Sequence, residues 1–145
     1  MMVLRQVNAG LAISLLALAG CSSSGPDIAY VEGRITMDGK PLADATVVFV
    51  PENGRPSGAT TNDDGKYVLN FAQGRKGALL GPSIVRIMTM RDADQDENGQ
   101  RIPGRKETIP EQYNVESTLT FEVEPKKNIA DFELQSSGTS PSRSS

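Results

Sequence analysis

The sequence predicts an all-β fold, a seven-stranded antiparallel sandwich, and three observations carry that expectation. Between residues 28 and 134, apolar side chains never recur at i, i+3, i+4 and i+7 for three turns, the spacing of an amphipathic helix. Short runs rich in β-branched and aromatic residues alternate apolar with polar instead, the period of a half-buried strand. Clusters of Gly, Pro, Asp and Asn separate these runs, as the turns of a sandwich require.

Each element follows from its residues. Ile28–Met37 alternates and stops at Asp38-Gly39, a two-residue hairpin signal. Ala45–Val50 is a β-branched run ended by Pro51, and Gly58–Asn62 is a short polar strand. Asp63-Asp64-Gly65 turns the chain into Lys66–Phe71, where Tyr67, Leu69 and Phe71 share a face. Ser83–Met90 is nearly all apolar, which predicts a central strand covered on both sides. Thr108–Asn114 fits one helical turn with Pro110 at its first position. Thr118–Glu124 alternates, with Leu119, Phe121 and Val123 inward. Pro125–Asn128 turns into Ile129–Leu134, with Ala130, Phe132 and Leu134 inward.

Composition bounds the function. The 145 residues carry 15 Lys and Arg against 18 Asp and Glu, a net charge of −3. That length suits one domain. No basic excess exists to neutralise phosphates, so nucleic-acid binding is not expected. There is no His, no Trp and one Cys. Apolar side chains crowd the first 20 residues, where Arg5 is the single charge.

Within that leader, Ala9–Gly20 is apolar except for Ser14. A helix of that length spans about 18 Å, short of the ~30 Å hydrocarbon core; it reads as the apolar region of an export signal. It ends Leu18-Ala19-Gly20-Cys21, followed by Ser22-Ser23-Ser24-Gly25-Pro26. The run resembles the lipobox of bacterial lipoproteins. The resemblance implies that the signal peptidase reads Leu18, Ala19 and Gly20 and cuts before Cys21. It also implies that the Cys21 sulfur carries diacylglycerol, with palmitate-type acyl chains as the membrane anchor. A thioether would remove the cross-linking liability of a lone exported thiol, and two or three chains make a stable anchor where one is marginal. The expected organisation is a signal peptide over 1–20, a tether over 21–27, one domain over 28–134 and a disordered Ser-rich tail over 135–145. The expected location is the cell membrane or outer membrane, facing the periplasm or the cell surface.

Two segments of the domain bring a second resemblance. Gly39-Lys40-Pro41-Leu42-Ala43-Asp44-Ala45-Thr46-Val47 reads G-x-P-L-x-x-A-x-V, and Thr61-Asn62-Asp63-Asp64-Gly65-Lys66-Tyr67 reads T-x-x-D-G-x-Y. Together they resemble the carboxypeptidase regulatory-like domain, a transthyretin-like and Ig-like β-sandwich. Ile109–Asn114 is similar to a segment of small exported lipoproteins carrying that domain alone. The resemblance implies that Gly39, Pro41, Asp64, Gly65 and Tyr67 shape turns and core, and motifs of that kind speak of fold rather than activity. The zinc peptidase domain that accompanies this module elsewhere is not in this sequence. The hydroxyisourate hydrolase branch needs a His, which this chain lacks.

Catalysis is not expected. Neutral-pH chemistry needs a group titrating near 7 or an activated nucleophile, and Cys21 is expected to be capped. The best ligand constellation is Asp92-Ala93-Asp94-Gln95-Asp96-Glu97-Asn98-Gly99, in which Asp94, Asp96, Asn98 and Gly99 match the opening of a calcium loop and Asp92 adds a carboxylate. Arg101 and Arg105 occupy its apolar and bidentate-Glu positions, so a solvated acidic loop competes with weak Ca2+ binding. For a glycan, Tyr113 alone falls in a loop able to offer an aromatic platform. No cofactor is called for. The expected role is a structural or protein-interaction module of the cell envelope, contacting an envelope protein through the loop Arg91–Glu107 or an exposed sheet edge; a calcium- or glycan-binding module is the alternative. The sequence leaves the oligomeric state open.

Overall fold

The computed structural model describes residues 25–136; Leu18, Ala19, Gly20 and Cys21, and the tail from residue 137, lie outside the described residues. The first alternating run breaks at Tyr30 into β1 (Ile28–Ala29) and β2 (Val31–Met37). Asp38 and Gly39 both take positive φ, 49° and 78°, the geometry of a tight two-residue hairpin turn, and return the chain into β3 (Lys40–Pro41) beside β2. β4 (Thr46–Pro51) and β5 (Ser57–Thr60) pair antiparallel. β6 (Lys66–Val68), β7 (Ala78–Leu79) and β8 (Gly81–Met88) follow. A small hairpin, β9 (Asp94–Gln95) and β10 (Arg101–Ile102), precedes a 3-10 turn over Glu111–Tyr113. Pro110 stands just before that turn with extended backbone, ψ 146°, rather than at its first position. β11 (Thr120–Val123), β12 (Asn128–Ile129) and β13 (Phe132–Leu134) complete the chain.

Two main sheets result. One is antiparallel, in the order β11-β8-β4-β5. The other is built on β2, with β3 and β6 antiparallel to it and β12 and β13 parallel. The wholly antiparallel expectation is therefore corrected. β11 sits in the other sheet, so Pro125–Lys127 carries the chain across to β2 instead of folding it back as a hairpin, and the crossing brings the last strands in alongside β2 in its own direction. The sequence runs are also more fragmented than expected, with thirteen strand segments among the described residues.

The core lies between the two sheets. Phe49 of β4 and Phe121 of β11, with ring centroids 5.6 Å apart, both meet Phe132 of β13, at 6.4 and 6.5 Å. Val31, Ile35 and Leu134 from one sheet and Val47, Val85 and Ile87 from the other are fully buried; each such side chain contributes roughly 1.5–3 kcal/mol. β8 is central by pairing, but only one of its faces is covered. Ser83, Val85, Ile87 and Thr89 are buried, whereas Pro82, Ile84 and Arg86 are exposed. Arg86 within the apolar run is the residue that marks the open face. Pro82 is tolerated because β4 ends at Pro51, opposite Ser83, so no strand on that side needs its missing N–H.

The two motif segments touch. Thr61 Oγ1 donates to the Leu42 carbonyl at 2.6 Å and accepts the Ala45 N–H at 2.9 Å. Gly65 has φ 73°, and a Cβ there would lie 2.4 Å from the Ile35 carbonyl oxygen, so the Asp64-Gly65 turn requires glycine. Tyr67 crosses the inner face of β2 at Gly33, its paired residue, and its hydroxyl donates to the Ala130 carbonyl at 2.6 Å. Gly33 makes the crossing possible, since a Cβ there would meet the Ala130 oxygen at 1.9 Å. A regular parallel ladder would bring the Arg34 N–H to that carbonyl. The ladder breaks at Ala130–Asp131 instead, and Asp131 Oδ1 accepts the Arg34 N–H at 2.8 Å.

Candidate functional site

The segment 91–105 leaves the far end of β8 as an exposed arm. Arg91 and Arg105 bridge at its root, their N–H groups donating to each other's carbonyls at 2.9 and 2.7 Å. Further out, β9 and β10 pair, and Asp96, Asn98 and Gly99 close the tip, Gly99 with φ 77°. What read as an irregular acidic loop is thus a hairpin. Ala93, Asp94, Gln95 and Arg101 line a shallow hollow of about 410 Å³ on it.

The arm is braced where it meets the domain. The Glu107 carboxylate accepts the Thr89 hydroxyl at 2.6 Å, the Thr89 N–H at 3.0 Å, the Thr108 N–H at 2.9 Å and the Ile109 N–H at 3.2 Å. Burial alone would raise the Glu107 carboxyl, but these hydrogen bonds outweigh it and hold the carboxyl below its ordinary value. The Arg105 guanidinium donates to the Thr89 carbonyl at 2.7 Å and to the Asp44 carbonyl, tying the arm to the turn before β4. In the sequence Arg105 stands out only as a misfit in the calcium pattern and Glu107 only as the end of the loop, and neither signals this bracing.

The calcium-type residues do not converge. Asp96 Oδ1 accepts the N–H groups of Asn98 at 2.9 Å and Gln100 at 2.7 Å. Asp94 Oδ1 accepts the N–H of Gln95 at 2.8 Å. Asp92 and Asn98 are exposed. Among the described residues no three His, Cys, Asp or Glu side chains stand where they could hold one metal ion. Asp96 serves as a local turn cap, the usual work of Asp at such a position. Tyr113 corrects the aromatic-platform expectation: it is fully buried, tucked in by the 3-10 turn, and its hydroxyl accepts the Gln135 N–H at 3.1 Å.

A second concavity, a groove of about 720 Å³, runs over the outer side of β2 and β6. Most of its charged side chains are already engaged, Lys66 being the exception. Arg34 Nε donates to the Asp64 carbonyl at 2.9 Å, Lys76 Nζ donates to Asn70 Oδ1 at 2.6 Å, and Glu32 pairs with Lys127 at 2.6 Å. The Lys127 ammonium holds Glu32 below its ordinary value, and Glu32 in turn raises Lys127. Gly39, Asp64 and Gly65 occupy turns and Tyr67 the core, while Pro41 lies exposed in β3. Among the described residues no helix is long and apolar enough to cross a membrane.

No family model and no curated protein matches the chain. Among solved structures, the fold has a likeness to a 9R-lipoxygenase from Cyanothece PCC8801, with 13% identity and a TM-score of 0.42, covering 74% of this chain and 16% of that one. The chain thus spans 16% of that protein's length, and a likeness this distant bears on neither fold nor activity.

Proposed function

We propose that the chain is an exported, lipid-anchored protein that displays a non-catalytic sandwich of the carboxypeptidase regulatory-like, transthyretin-like type, and that the arm 91–105 is its contact element for another protein of the cell envelope. One observation carries the reading: an exposed hairpin braced at its root by a multiply bonded carboxylate, Glu107, and by Arg105. Bracing of that kind lowers the ordering cost of binding, since the arm is organised before a partner arrives. The lipobox-like run at Leu18–Cys21 supports the anchor, and the contact between the two motif segments through Thr61 supports the family likeness. The seven sequence runs map onto seven strand positions if the breaks at Tyr30 and Ala130–Asp131 are bridged and β3, β7 and the arm are set aside, which supports the transthyretin-like count.

The test is a crosslinking and pull-down from solubilised membranes, comparing the native chain with one in which Ala93–Pro103 is replaced by Asn-Gly. A partner recovered reproducibly with the native chain and lost with the shortened arm is the expected result. The same partners with both chains, or none with either, would remove the arm from the account.

A further inference from the structure

We propose that the end of the domain where the chain enters lies against the bilayer and makes contact with anionic lipid headgroups. The inference rests on the lipid-anchored reading and deepens it. Gly25–Asp27 is fastened to the domain: the Arg75 guanidinium donates to the Pro26 carbonyl and the Leu80 N–H to the Asp27 carbonyl, each at 3.2 Å. Four peptide units separate Cys21 from Gly25, a reach of about 14 Å at most. Whatever surrounds Gly25 is therefore held at the membrane surface once Cys21 is acylated.

Strand direction fixes what surrounds it. β8 begins here at Gly81, β4 ends opposite it at Pro51, β11 ends beside Gly81 at Val123, and β12 begins beside Val31. The segments 25–27, 52–56, 71–80 and 124–127 are thereby gathered at one end. With Glu32, which faces Lys127 at the start of β2, this end carries five basic side chains, Arg55, Arg75, Lys76, Lys126 and Lys127, against four acidic ones, Asp27, Glu32, Glu52 and Glu124. The rest of the described residues carry eight basic against fourteen acidic. Lys126 pairs with Glu124 and Lys127 with Glu32, while Arg55, Arg75 and Lys76 have no carboxylate within ion-pair distance among the described residues. A chain that is acidic as a whole thus turns a net positive end toward the surface it is tied to, the polarity that an anionic leaflet attracts. Leu80 and Tyr30, 37% and 38% exposed, add apolar and aromatic side chains at the same end, residue types suited to the headgroup boundary. The arm 91–105 leaves the other end of β8, eight residues and about 26 Å along the strand from Gly81.

The test uses the full chain expressed in a bacterial host, bearing an NBD fluorophore on Leu80→Cys or on Asn98→Cys. The chains are reconstituted in phosphatidylglycerol–phosphatidylethanolamine or phosphatidylcholine vesicles containing doxyl-labelled lipid. Quenching at position 80 about twofold or more above that at position 98 on the anionic vesicles, reduced at high salt and in the Arg55→Glu/Lys76→Glu background, is expected. Equal quenching at 80 and 98 on vesicles that the chain still floats with overturns the orientation and leaves the anchor standing. Quenching at 80 that ignores lipid charge overturns the headgroup contact. A chain that carries no acyl group and does not float with vesicles overturns both readings together.

Discussion

Replacing Tyr67 by Phe tests the logic of the fold at one atom. The change deletes the hydroxyl and keeps the ring that packs in the core, so no cavity term enters. Tyr67 is 4% exposed and Ala130 is 1% exposed, and the hydrogen bond between them is 2.6 Å long. The Arg34 N–H that a continuous ladder would supply is committed to Asp131. The Ala130 carbonyl is left buried without a donor, which costs about 1–3 kcal/mol. At about 4 °C per kcal/mol for a domain of this size, Tm falls by roughly 4–12 °C. Burial pushes the Tyr67 phenol far above its usual value, with the Asp131 charge adding to it, so the hydroxyl stays a donor across the accessible pH range. The assay is thermal unfolding followed by circular dichroism. The same change at half-exposed Tyr30 serves as the control and shifts stability by less than about 0.5 kcal/mol. A Tyr67→Phe effect no larger than that of Tyr30→Phe would refute the claim that this hydroxyl repairs the broken ladder.

Two further outcomes follow from the arm. Glu107 titrates below its ordinary value in the folded protein, so the stability it contributes is present above the unfolded carboxyl pKa and is lost as pH falls through the folded one; unfolding across acid pH is therefore less pH-dependent in Glu107→Gln than in the native chain, and parallel curves would contradict the assignment. Titration calorimetry with calcium gives no binding heat in the native chain or in Asp94→Ala/Asp96→Ala, because no three acidic side chains among the described residues stand around one point; heat that disappears in the double variant would restore a calcium site.

The legible parts of this fold were those governed by local chemistry. Asp38-Gly39 and Asp63–Gly65 announced their turns because few residues adopt positive φ, and Leu119, Phe121 and Val123 announced their inward face by alternation. The parallel pairing of β12 and β13 was not legible, since the choice of neighbour is made by the crossing from one sheet to the other and leaves no periodic trace. The open face of β8 departs from the expectation of two covered faces because Ile84 and Met88 suit either a buried or an exposed sheet surface; Arg86 is the residue that signals it. Gly33 is a second signal, an isolated glycine in an alternating strand that marks close backbone approach. The arm's internal pairing depends on two-residue strands too short to stand out in sequence, and its bracing depends on a carboxylate eighteen residues from its hydrogen-bond donor at Thr89.

The state of one sulfur decides whether the domain is anchored at all. Intact-mass and peptide mass spectrometry of the chain isolated from bacterial membranes should find a mature N-terminus at Cys21 carrying a thioether-linked diacylglycerol. A mature chain with a free thiol at Cys21, or one that begins elsewhere, would contradict it.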